Sequence, residues 1–174
     1  MKKNIYIFLI IAAPLSAQNN RYYVDAKAGG ANNGLSWADA FTDLQTALQS
    51  AQAGDEVWVA AGTYRPTATT DRTVSFEPRS GVQFYGGFAG TENSPAQRDW
   101  ALHPSILSGD IGIAGDSADN SYNVMYLHQP DSSSLVDGFT LRDGLANASS
   151  GGAFDRGKCG AGLYIMGRDW EAYP

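Results

Sequence analysis

Between Arg21 and Ile165 the apolar residues come in short runs that alternate with polar positions, and one stretch breaks that rhythm. Arg21-Tyr22-Tyr23-Val24-Asp25 predicts a short opening strand. A loop rich in Gly29, Gly30, Asn32, Asn33 and Gly34 follows, residue types that accept positive φ. The rhythm then changes to helical spacing, with Phe41, Leu44, Leu48 and Ala51 on one face, Ser36 or Asp39 as the cap and Gly54 as the stop.

After Gly54 the pattern returns to period two. Val57 and Val59 alternate with Trp58 and Ala60, and Ala61-Gly62 predicts a corner before Thr63-Tyr64. Val74 and Phe76 predict another strand, as do Val82 and Phe84, with Gly86-Gly87 as a bend. Further runs lie at Ile106-Leu107, Val124 to Leu127 and Gly160 to Ile165. Leu135, Asp137, Phe139 and Leu141 are expected on one face of a single strand, opposite Val136, Gly138, Thr140 and Arg142. Strands this short, with tight corners and one helix, exclude a doubly wound sheet and leave sandwich, propeller or solenoid. Hairpin dipeptides between alternating runs are sparse, and strand groups recur every ~20–28 residues, as stacked repeats do. The expected fold is all-β, a right-handed parallel β-helix of about four or five coils. Residues 18–53 hold the opening strand, a loop and one amphipathic helix that caps the first coil, and the coils fill residues 54–167.

The chain of 174 residues is 43% hydrophobic, enough for a buried core. Its 18 acidic against 12 basic side chains give a formal net charge of -6, which argues against a nucleic-acid partner. Lys2 and Lys3 precede the apolar run Ile5 to Ala13, and Leu15-Ser16-Ala17 offers a cleavage site before Gln18. Residues 1–17 therefore predict a signal peptide and an exported protein. No cysteine follows the cleavage point, so a lipid anchor is not expected. Cys159 is the only cysteine, which leaves no internal disulfide.

Several segments carry a family resemblance. Tyr22-Tyr23-Val24-Asp25, Gly34-Leu35-Ser36-Trp37-Ala38-Asp39-Ala40-Phe41 and the run from Ala53 to Tyr64 resemble the start of bacterial right-handed β-helix surface proteins. They are similar to the N-terminal cap and first coil of the pectin-lyase-like superfamily. Val82 to Phe88, Leu107 to Gly112, Val136 to Leu141 and Gly160 to Tyr164 resemble its later coils. The resemblance implies a secreted, cell-surface or outer-membrane protein, structural or adhesive, with extracellular polysaccharide or cell-surface components as partners. The alternative it implies is a polysaccharide lyase or glycoside hydrolase, or a truncated remnant of one. Members usually continue for more coils, whereas here the strand pattern stops after Ile165. Residues 168–174 are expected either as the irregular tail of a truncated chain or as a plug that sets Trp170 and Tyr173 over the last coil. An uncovered last coil would favour self-association through its exposed edge.

Catalytic and cofactor-binding residues are not assigned. Lyases of this superfamily use a lysine or arginine base beside calcium-binding aspartates, and Arg142 beside Asp143 is the outward basic candidate. Lys27 and Lys158 are the lysines left after cleavage. Asp110, Asp137 and Asp143 are the carboxylates available to a hydrolase, yet each neighbours a glycine, where turn chemistry already accounts for them. The Asn-Thr-Asp, Asp-Asp and Gly-His-Gly groups of galacturonan hydrolases are missing. Asp110, Asp116 and Asp119, in a loop with Asn120, are the weak calcium candidates. Trp37, Trp58 and Trp100 are open between sugar stacking and packing.

Overall fold

The computed structural model describes residues 19–152 and 155–167. The expected signal peptide and the 168–174 tail lie outside these residues. The described chain forms nine strands: β1 (Arg21–Val24), β2 (Glu56–Ala60), β3 (Gly62–Tyr64), β4 (Gln83–Phe88), β5 (Ser105–Ser108), β6 (Met125–His128), β7 (Leu135–Asp137), β8 (Phe139–Arg142) and β9 (Leu163–Met166). They build three parallel sheets in the orders β1-β2-β4-β7, β3-β5-β8 and β6-β9. β1 and β2 pair directly across the loop and helix between them, but from β2 onward successive strands move from one sheet to the next, so each later parallel neighbour is reached only after the chain has left its sheet. Phe76 completes the third sheet with an isolated parallel bridge to Met125. The expected Val74–Phe76 strand shrinks to that bridge.

The register stacks like on like. Tyr22, Val57, Phe84 and Val136 form one column of the first sheet, Tyr64, Leu107 and Leu141 one of the second, and Met125 and Leu163 one of the third. All of these but the half-exposed Leu163 meet in one core with Val24, Val59, Phe76 and Val82. Burying each large side chain there contributes about 1.5–3 kcal/mol. Phe84 stacks on Phe139 at 4.2 Å between ring centroids, which ties the first sheet to the second.

The helix α1 (Leu44–Ser50) buries Leu44, Ala47 and Leu48 in that core and lies against β1 and β2. Its cap is Asp43, not Ser36 or Asp39. The Asp43 carboxylate accepts from the amides of Gln45 at 3.3 Å and Thr46 at 3.0 Å. Ser36 and Asp39 instead bond each other and pin the preceding loop, whose Ala31 amide donates to Asp39. Phe41 precedes the helix and bridges Val24.

Three sequence expectations change. Among the described residues the chain makes three passes through the sheets after Gly54 instead of four or five coils, because long connections consume residues. Glu56 pairs with Gln83, but Gln83 pairs with Leu135, about twice as far along the chain. The Gly86-Gly87 bend falls inside β4 and not at its end: Gly87 takes φ 91°, and the register against β2 shifts between Trp58 and Ala60. The expected single strand over 135–142 is two strands in different sheets, divided at Gly138 with φ 81°. That corner inverts the alternation, so Val136 packs on the core before it and Phe139 and Leu141 after it.

Candidate functional site

Where the second sheet ends, the register sets Tyr64, Leu107 and Leu141 side by side, so that Arg65, Ser108 and Arg142 follow at equivalent points of three successive passes. Arg65 donates to Asp110 at 3.2 Å, and Arg142 bonds the adjacent Asp143 at 3.1 Å. Ser108 joins the two pairs. Its hydroxyl donates to Asp143 at 2.7 Å and accepts from the Asp110 amide at 3.2 Å. The result is a connected, partly exposed column of two arginines and two carboxylates running across the passes. The amide of Gly115 and then the Arg65 guanidinium hold the Asp110 carboxyl below its ordinary value. Asp143 takes φ 60°, and its carbonyl lies where a side chain on Gly109 would go. Glycine at 109 is what allows the passes to approach there.

The column brings together Arg142, Asp143 and Asp110 but leaves Asp137 elsewhere. Asp137 lies on the outer face of the first sheet, where it accepts from Arg98 at 2.6 Å. Arg98 is almost wholly covered. It also donates to the carbonyls of Gly86 and Pro95, and its guanidinium lies 4.9 Å from the Tyr85 ring. Two passes earlier, Arg21 bonds Glu56 at 2.8 Å and lies 3.8 Å over Trp58. Burial, the largest influence, opposes the Arg21 charge, but the hydrogen bonds and charges of Glu56 and Tyr23 together outweigh it and raise its pKa. Burial and the Glu56 charge together push the Tyr85 phenol up.

The sequence left three tryptophans open, and the structure separates them. Trp58 is fully buried in a cluster with Trp37 and Phe88, stacked on Phe88 at 4.6 Å, and the Trp37 indole donates to the Glu92 carbonyl. Both serve packing. Trp100 is 61% exposed, on the connection from β4 to β5, with its backbone laid against Gly87. Only this tryptophan of the three offers a ring face to a ligand. Lys158 donates to the Gly151 carbonyl, away from the charged column.

The calcium candidates do not converge through their carboxylates. Asp110 accepts from Gly115 and Arg65, Asp116 caps a short 3₁₀ turn through the Ala118 amide, and Asp119 accepts from the Ile113 amide. Among the described residues no three His, Cys, Asp or Glu side chains assemble as a metal site. The column itself escaped the sequence reading because Arg65 and Ser108 become neighbours of Arg142 only through register between distant strands. Among the described residues, no helix is long and apolar enough to cross a membrane. No family model matches the chain, and neither a curated protein nor a solved structure matches it.

Proposed function

We propose that the chain is an exported, non-catalytic protein built as a right-handed parallel β-helix, which serves a structural or adhesive role at the cell surface or outside the cell and binds extracellular glycan. One observation carries this reading: Arg65, Asp110, Asp143 and Arg142 recur in a column across successive passes, partly open to solvent. Strands in a sheet stack about 4.8 Å apart, so the column presents its charges as a regular line, which suits an extended polymer. Each carboxylate already has an arginine partner, an arrangement that favours holding a polar ligand over moving a proton. Export rests on the sequence from Lys2 to Ala17.

The second reading, a carbohydrate lyase or hydrolase, is favoured by Arg142 standing outward beside Asp143 on the same column. One experiment separates the two. The chain is passed over immobilised pectin, alginate and neutral glycans, with and without calcium, and the same mixtures are assayed for reducing ends and unsaturated products. Retention of at least one glycan, weakened about tenfold or more in an Arg65→Ala, Arg142→Ala double variant and without product, is the expected result. Product formation lost in Arg142→Ala would establish the enzyme instead. Neither retention nor product would remove the glycan from the proposal.

A further inference from the structure

At the neck of the 109–121 loop, where the Ser121 amide closes on the Gly109 carbonyl, the chain turns polar side chains inward. Asn120, Ser121 and Asn123 are only 7%, 0% and 2% exposed. Four oxygens in this five-residue run, Asp119 Oδ1, Asn120 Oδ1, Ser121 Oγ and Asn123 Oδ1, are buried and meet no hydrogen-bond donor among the described residues. Each such group destabilises the fold when left unmatched, more so when it is charged. The neighbouring cations are engaged elsewhere. Arg65 holds Asp110, and Arg72 spends its guanidinium on the carbonyls of Asn120 and Leu145 and on Asn147.

We infer that these oxygens form the protein half of a calcium site, with Asp119 as its charged ligand. The donor set suits a hard cation: one carboxylate oxygen, two amide oxygens and one hydroxyl, all neutral or anionic acceptors. A cation satisfies acceptors without needing donor protons and offsets the Asp119 charge, whereas a water molecule brings only two donor protons. This site differs from the Asp110, Asp116 and Asp119 trio, because Asp110 and Asp116 are committed to Gly115, Arg65 and Ala118. A single charged ligand sets a weak affinity, roughly 10⁻⁴–10⁻³ M, the range of extracellular modules.

The test uses the whole recombinant chain. Terbium luminescence, sensitised by nearby Tyr122, is titrated and then displaced with calcium, and thermal unfolding is followed with calcium, magnesium or chelator. The expected result is saturable terbium emission displaced by millimolar calcium, together with a calcium-dependent rise in unfolding temperature. Asp119→Asn should weaken both about tenfold or more, and Asp116→Asn should leave both unchanged. Asn120→Asp, which adds a charge to the same donor set, should tighten calcium binding and keeps the test decisive if Asp119→Asn fails to fold. Absent saturable emission, equal losses in the two aspartate variants, or unchanged binding in Asn120→Asp would each overturn the site.

Discussion

Asp131 shows how much a single exposed carboxylate does in the turn between β6 and β7. Its Oδ1 accepts from the Ser133 hydroxyl at 2.7 Å, from the Ser133 amide at 2.9 Å and from the Ser134 amide at 3.2 Å. These bonds, the Ser133 hydroxyl foremost, hold its pKa down at about 2. A depressed carboxylate stabilises the fold above its unfolded pKa and loses that contribution as pH falls through the folded value. Unfolding midpoints measured from pH 5 to pH 2 should therefore drop for the parent, with a shallower drop for Asp131→Asn. Equal slopes would show that the turn does not couple to folding. An Asp followed by serines favours such local bonds, a signal that the pattern of apolar positions does not carry. The fate of Trp58 was not legible in the sequence. Period-two alternation sets it on an outer face, and its burial comes from Trp37 and Phe88, which a local pattern does not connect to it.

Elements were easier to read than their boundaries. The apolar spacing of Leu44 and Leu48 predicted a helix laid over the first strands, and both side chains are buried against the core that includes Val57 and Val59. Its true cap, Asp43, was hidden by two other cap-forming residues upstream that serve the loop instead. The β7–β8 corner was hidden for the opposite reason: period-two alternation runs unbroken through Gly138, and only its positive φ divides the strands. Leu48→Asp tests the helix assignment. It places a charge with no counter-ion in an apolar site and should cost about 3 kcal/mol or more, read from the denaturant midpoint. An unchanged midpoint would mean that α1 does not cover the core.

For the whole molecule, the two ends of the strand stack differ. At the first end α1 lies against β1 and β2 and buries Leu44, Ala47 and Leu48. At the other, β7, β8 and β9 each have one neighbouring strand among the described residues. Ile165 shares a column with Leu127 and Leu163 with buried Met125, yet Ile165 is 54% and Leu163 40% exposed. A cavity of about 380 Å³ lined by Val82, Leu127, Leu135, Val136 and Leu163 opens beside them. Among the described residues the outer edges of β7 and β8 meet no further strand and lie beside this apolar surface, the combination that recruits another strand. Because α1 occupies the first end, a second copy can meet this edge only with the same edge of its own, which closes as a pair and does not propagate into a fibre. Sedimentation of the chain from residue 18 to residue 174 should therefore show a monomer–dimer equilibrium that shifts with concentration. Ile165→Lys should move it toward monomer, since a charge on the edge resists pairing, while Trp100→Ala, on the connection from β4 to β5, should not. A monomer at every concentration, or growth beyond a dimer, would refute the end-to-end pairing.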